Sequence, residues 1–255
     1  MIRNVNHPFR KKWGQNFITD LNLLDRIVRT INPKHSDSII EIGPGEGVLT
    51  EMIFPKVKEM AAVEIDPLLI EYLKDRDDLN DLYIIAGDIL LQEIDALPIS
   101  NPVRIIGNIP YNITSSIIFW LIEQFEYWDD AFIMVQKEVA ERLSAIVGTK
   151  SYGRLTVVVG AYLDIEYCFT VPPTVFIPRP KVDSAIIRFT KKENPIIVDE
   201  KYERFNKLVA TAFSQRRKML RNTLKGWDIP ESIQKKINFE RRPETLTIDE
   251  FASMV

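Results

Sequence analysis

Cysteine and histidine are nearly missing from this chain. Cys168 is its single thiol, and His7 and His35 are its two imidazoles. One cysteine cannot form an intramolecular disulfide, and this set is too small for a Cys/His metal site, so no metal is expected. Ser-His-Asp catalysis is poorly supplied for the same reason. Long apolar runs are missing too: none approaches the roughly 18 residues of a membrane span. The opening Met1-Ile2-Arg3-Asn4-Val5-Asn6-His7-Pro8 has no apolar signal core. The expectation is a cytoplasmic protein with no membrane association. No long exposed apolar stripe asks for a second subunit, so a monomer is expected.

What is present is an ordinary globular composition. A chain of 255 residues, 45% hydrophobic and 27% charged, fits one large domain or two unequal ones. The net charge of -3 does not by itself announce a nucleic-acid binder. Its distribution says more: residues 201–255 hold 12 Lys+Arg against 7 Asp+Glu, whereas the preceding 200 hold 21 against 29. A basic C-terminal part with its own task follows. Lys191-Lys192-Glu193-Asn194-Pro195 reads as the boundary. The expected domains are 1–192 and 193–255.

Alternating patterns dominate the first of these. The apolar run Ser38-Ile39-Ile40-Glu41-Ile42 ends in Gly43-Pro44-Gly45-Glu46-Gly47 and then a helical segment. Glycines there let the backbone approach a ligand, and the following helix offers free N–H groups. The spacing is G-x-G-x-G, unlike the G-x-G-x-x-G of dinucleotide binders. With no plausible hydride-site histidine, a dehydrogenase is disfavoured. Glu41 would repel a pyrophosphate but can accept from a cationic or amino-acid-like ligand. A second strand ends at Glu64, placed to hold ribose hydroxyls; a third ends at Asp88 and a fourth at Asn108. Strands and helices in alternation imply an open parallel sheet with its ligand outside the carboxyl edge.

Three further stretches carry candidate chemistry. Asn108-Ile109-Pro110-Tyr111 closes an apolar strand with an amide, a rigid proline and a ring. An amide both donates and accepts, and a base stacked on Tyr111 would gain ~1–3 kcal/mol. The proline-rich segment Val171–Ser184 presents Phe176 on an extended loop. Lys11 and Lys12 belong to a basic N-terminal arm that runs into Trp13. Near the other end, Arg216, Arg217, Lys218, Arg221 and Lys225 form a basic run. Lys218, Arg221 and Lys225 would share one helical face at i, i+3, i+7, suited to phosphate contact. Earlier, Leu21, Leu24, Ile27, Val28 and Ile31 form a helical stripe with Thr19 or Asp20 as N-cap.

Seven segments together resemble the KsgA-type small-subunit rRNA adenine dimethyltransferases. They are Gly14-Gln15-Asn16-Phe17, Glu41 through Gly47, Asn108-Ile109-Pro110-Tyr111, Gln136-Lys137-Glu138-Val139, Tyr152-Gly153-Arg154-Leu155, Phe176 through Ser184, and Phe213 through Leu224. The resemblance spans nearly the whole chain. It implies a class I methyltransferase core, Rossmann-like, with a small helical C-terminal domain and S-adenosylmethionine as cofactor. Position by position it implies that Asn16, Ile18, Gly43, Glu64, Asp88 and Asn108 line the cofactor site. Glu64 would hold the ribose and Asp88 the adenine amine. Asn108 and the Ile109 carbonyl would orient the target amine, with the flipped-out base between Tyr111 and Phe176. Two adjacent adenosines near the 3′ end of 16S rRNA, in an immature small subunit, would be the substrate. The family commonly has Leu where this chain has Ile18 and Ile109. Erm-type large-subunit methyltransferases share the core, and a non-catalytic assembly factor on the same fold is the rival of another class. The Arg216–Asn222 stretch and the Lys181-Val182-Asp183-Ser184 form resemble KsgA rather than Erm.

Overall fold

The computed structural model describes residues 15–255. Nine strands and ten α-helices alternate along it. The order is β1 (Phe17–Ile18), α1 (Leu21–Ile31), β2 (Ser38–Ile42), α2 (Thr50–Ile53), β3 (Glu59–Glu64), α3 (Pro67–Lys74), β4 (Tyr83–Ala86) and β5 (Val103–Asn108). There follow α4 (Thr114–Glu123), β6 (Trp128–Gln136), α5 (Lys137–Leu143), α6 (Arg154–Gly160), β7 (Leu163–Val171), β8 (Phe176–Ile177) and β9 (Ser184–Lys191). Four helices close the chain: α7 (Asp199–Phe213), α8 (Leu220–Thr223), α9 (Glu231–Lys236) and α10 (Ile248–Ala252). None of the described helices is long and apolar enough to cross a membrane.

Seven strands form one sheet in the order β4-β3-β2-β5-β6-β9-β7, and β1 pairs with β8 in a separate antiparallel ribbon. Strands β2 through β6 are parallel to one another, and β9 runs antiparallel beside β6. The fold is an open, mostly parallel α/β sheet, as the alternation of strands and helices in the sequence implies. All five residues of β2 are buried, which suits a strand covered on both faces. The strand order reverses between β2 and β5. An open α/β sheet forms its ligand crevice at such a point, beyond the carboxyl ends of the two strands.

The amino ends of the same strands are closed by charge. Arg104 on β5 donates to Asp130 at 2.7 Å and to Asp37 at 2.7 Å, and it also holds the Ile31 carbonyl at 2.8 Å. Arg188 reaches the same Asp130 at 3.0 Å. These partly buried charges are fully paired, so they pin the end of α1 to the sheet without leaving an orphan. Helix α1 buries Leu24, Ile27, Val28 and Ile31 of its expected stripe, but Leu23 takes the place of Leu21, which is exposed. Asp20 caps it, accepting from the Asn22 and Leu23 amides.

The chain divides into two compact units. One runs to Lys137 and resumes at Glu166–Thr190; the other comprises Glu138–Ile165 and Lys191–Val255. The division differs from a single cut at 192/193, because residues 138–165 group with the C-terminal helices. Their hydrogen bonds show why. The Tyr152 hydroxyl donates to the Leu246 carbonyl at 2.8 Å, and the Ile196 amide donates to the Ala161 carbonyl at 2.8 Å. Gly160 lies so close to Ile248 that a Cβ would meet its Cδ1 at 2.7 Å.

Candidate functional site at the carboxyl edge of the sheet

Four strand ends converge on one cavity of about 310 Å³, at the low end of the roughly 300–1,000 Å³ usual for ligand sites. The turn after β2 forms its floor. Gly43, Gly45 and Gly47 have φ of +68°, +61° and +74°. Side chains other than glycine rarely adopt that region, so this backbone path dictates the glycines. Gly45 also lies under Phe17: a Cβ there would sit 3.0 Å from the ring's Cε1.

Glu64 ends β3 and is buried. Its carboxylate accepts from the Gly45 amide at 3.2 Å and from the Ile65 and Asp66 amides at 2.9 Å each. Burial raises its pKa while these three N–H groups pull it back. A carboxylate offers about four acceptor sites, and these three bonds leave one. Glu41 lies in β2 and accepts from Thr50 Oγ1 at 2.6 Å. It is 3% exposed. Burial pushes its pKa from 4.5 up to about 7, with the Thr50 bond opposing and the charge of Glu64 adding to the rise. Among the described residues no cation counters this burial.

Asp88 follows β4 and caps the short turn after it, accepting from the Leu90 amide at 3.0 Å. Asn108 ends β5. Its Nδ2 donates to the Asn16 carbonyl at 2.9 Å. That bond assigns the two ends of the amide: the nitrogen faces Asn16, and the oxygen has no donor among the described residues. Gln15 reaches Asp66 at 3.3 Å, and Ile18 pairs with Phe176 in the β1–β8 ribbon. Residues 15–18 therefore cross the cavity with both backbone and side-chain ties.

All eight residues expected around a cofactor line this cavity: Asn16, Ile18, Glu41, Gly43, Gly45, Glu64, Asp88 and Asn108, with Ile109 beside them. Two aromatic expectations fare differently. Tyr111 is half-buried beside the cavity rather than in its wall, and its hydroxyl lies 2.5 Å from Ser184 Oγ. Phe176 is fully buried in the hydrophobic core. It does not stand on an open loop as the prolines suggest: it pairs with Ile18 in the β1–β8 ribbon, and its ring packs in the core. Sequence reasoning also missed Ile65 and Ile89, which wall the cavity. The signal was available, since each directly follows a strand-end acid.

The basic residues separate as well. Lys11 and Lys12 lie outside the described residues. Arg216 donates to the carbonyls of Thr149, Lys150 and Tyr152, so it braces the 149–152 loop. Arg221 pairs with Glu240 at 3.1 Å. Arg217, Lys218 and Lys225 are exposed. The shared helical face of Lys218, Arg221 and Lys225 is corrected: α7 ends at Phe213 and α8 spans only Leu220–Thr223. The Leu220 and Arg221 amides donate instead to the Arg241 and Phe239 carbonyls.

The site is one a nucleoside with a cationic tail would fit, and comparison with known proteins narrows it. A family model described as ribosomal RNA adenine dimethylase matches residues 6–255. This chain belongs to the ribosomal RNA adenine dimethylases. Among curated relatives, the ribosomal RNA small subunit methyltransferase A of Leptothrix cholodnii is 41% identical, covering 98% of this chain and 92% of that protein. The protein of the same description from Alcanivorax borkumensis is 39% identical over 97% of this chain and 89% of its own length. Solved structures agree. A dimethyladenosine transferase from Plasmodium falciparum superposes with a TM-score of 0.80 at 28% identity, covering 93% of this chain and 95% of that one. The 23S rRNA methyltransferase ErmE gives 0.71 at 26% identity, covering 94% and 98%. The dimethylase is thus nearer in sequence to these small-subunit relatives than to ErmE.

Proposed function

We propose that this dimethylase uses S-adenosylmethionine to dimethylate the exocyclic amines of two adjacent adenosines near the 3′ end of 16S rRNA, within an immature small subunit. One observation carries the reading: Glu41, Glu64, Asp88 and Asn108 meet in a single cavity, and Asn16 fixes which end of the Asn108 amide faces outward. The cavity suits the cofactor on its own chemistry. Three acids, one of them a buried carboxyl with no cation against it among the described residues, complement an ammonium and a sulfonium, and Ile65 and Ile89 offer apolar walls for a purine. Glu64 has an acceptor site left for ribose, and Asp88 suits an adenine amine.

Bound here, the cofactor supplies a methyl group already activated by its sulfonium. The protein's task is the nucleophile, because an adenine amine delocalises its lone pair into the ring. Asn108 Oδ1 and the Ile109 carbonyl accept the two amine hydrogens, which draws the nitrogen pyramidal and aims its lone pair at the methyl. Such positioning is worth up to ~7–11 kcal/mol in ideal cases. Asn108 and the Ile109 carbonyl hold the amine in place while the cofactor gives its methyl carbon to that nitrogen and departs as a neutral thioether. The positive charge that develops on nitrogen faces carbonyl dipoles. The methylated ammonium is acidic and releases its proton to solvent without a strong base. Tyr111 offers one stacking face to the flipped base. The exposed Arg217, Lys218 and Lys225 suit the phosphate backbone.

The test is methyl transfer from labelled S-adenosylmethionine to unmethylated small subunits and, in parallel, to naked large-subunit rRNA, followed by digestion to nucleosides. Dimethyladenosine from the small subunits alone is expected. Label in the large-subunit rRNA would overturn the substrate, and no transfer to either would overturn the reaction. Asn108→Ala is expected to abolish transfer and leave the melting temperature near wild type. A variant with near-normal rates would sink the amide's role.

A further inference from the structure

Beside the cavity lies a hydrogen bond that the mechanism above does not use. Tyr111 opens the single turn Tyr111–Ile113, directly after Pro110, which lines the cavity. Its hydroxyl meets Ser184 Oγ at 2.5 Å. Ser184 is 0% exposed and opens β9, where it pairs with Gln136 of β6. Strand β6 in turn pairs with β5, with Asn108 opposite Met134. Ser184 therefore stands on the sheet edge two strands from Asn108, and the bond ties the ring after Pro110 to that rigid edge. Of the two rings expected at the base, Tyr111 is half-buried beside the cavity and Phe176 is fully buried.

We propose that Ser184 is a positioning residue for the second methyl transfer: through its hydroxyl it fixes the Tyr111 ring that must hold an adenine already monomethylated. The proposal rests on the function argued above. In the first transfer the target amine has two hydrogens for two acceptors, Asn108 Oδ1 and the Ile109 carbonyl. The first methyl replaces one of those hydrogens. One acceptor then loses its donor, and the hydrogen-bonded grip on the amine is halved. Stacking is unaffected by the new methyl, so retention and alignment of the monomethylated base depend more on the ring. A ring free to swing costs the second transfer more than the first. The second step has the same balance as the first: a nitrogen–carbon bond forms, the sulfur–carbon bond of a fresh cofactor breaks, and the last amine proton leaves to solvent.

The experiment counts products on unmethylated small subunits under limited turnover, as monomethyl- against dimethyladenosine. Ser184→Ala and Tyr111→Phe each remove the bond, the second without touching β9. Each is expected to raise the mono-to-di ratio about 2- to 10-fold, the scale of one lost hydrogen bond. The double variant should go no further than either single variant, since both singles break the same contact. Affinity for S-adenosylmethionine, read by calorimetry, should stay at the wild-type value. A wild-type ratio in Tyr111→Phe, or equal loss of both transfers, would overturn the proposal, and so would additive effects in the double variant. If Ser184→Ala fails to fold, Tyr111→Phe decides alone. Wild-type enzyme that transfers no methyl to small subunits would instead overturn the function itself.

Discussion

Glu41 is the residue at which stability and function oppose each other. Its carboxyl is pushed from 4.5 up to about 7 in the folded chain. Between those values the folded protein keeps a proton that the unfolded chain has lost. Stability therefore falls as pH rises from 4.5 to 7, and the whole penalty persists above 7. Glu41→Gln removes the titration and can still accept the Thr50 hydroxyl. It is expected to stabilise the protein at pH 8 by up to about 3 kcal/mol, at roughly 1.4 kcal/mol per pKa unit, and by little at pH 4.5. Denaturant titrations at the two pH values check this; an equal effect at both would show that Glu41 does not titrate as described. The same substitution should weaken S-adenosylmethionine. A cation in the cavity favours the ionised carboxylate, so wild-type binding should release protons near pH 7 and tighten from pH 6 to 8. Calorimetry in buffers of different ionisation enthalpy reads that release, and Glu41→Gln should abolish it.

At the scale of elements, the glycine turn and the strand that crosses it act as one part. Gly45 needs φ of +61° and also leaves room for Phe17. Gly148 has φ of +86° with nothing within 4 Å of its absent side chain. Alanine at either position meets the backbone strain, about 1–3 kcal/mol. Only Gly45→Ala also pushes on Phe17, and through it on the Asn16 carbonyl that orients Asn108. Gly45→Ala is expected to lose methyl transfer at least tenfold more than Gly148→Ala at a comparable loss of melting temperature; matching activities would separate residues 15–18 from the site. This part was legible in sequence because its signals are local: a buried strand, a turn only glycine can make, and an acid or amide at each strand end. The failures were of the opposite kind. Phe176 sits in a proline-rich stretch that reads as open loop, and only pairing with Ile18, far away in sequence, turns it into the core. The basic run after Phe213 reads as one continued helix. Its break is set by amides that reach the Phe239 and Arg241 carbonyls, contacts no local pattern contains.

Across the whole molecule, charge is divided as the chain is. Residues 201–255 carry the excess of Lys and Arg seen in composition, but the structure assigns those cations different work. Arg216 is spent on three carbonyls of its own unit, while Arg217, Lys218 and Lys225 stand exposed. Affinity for RNA falls with salt in proportion to the phosphates contacted, by roughly 0.7–0.9 in logarithmic slope per contact. Lys218→Ala and Lys225→Ala are each expected to lower that slope by about 1 and to leave melting unchanged. Arg216→Ala should do the reverse, lowering stability by about 1 kcal/mol through the lost loop bonds with little change in slope. Binding of a small-subunit rRNA fragment measured between 50 and 200 mM salt, beside thermal melts of each variant, separates the two behaviours. If Arg216→Ala gave the largest change in slope, the loop bonds would be incidental and the basic run would act as a single RNA-facing patch.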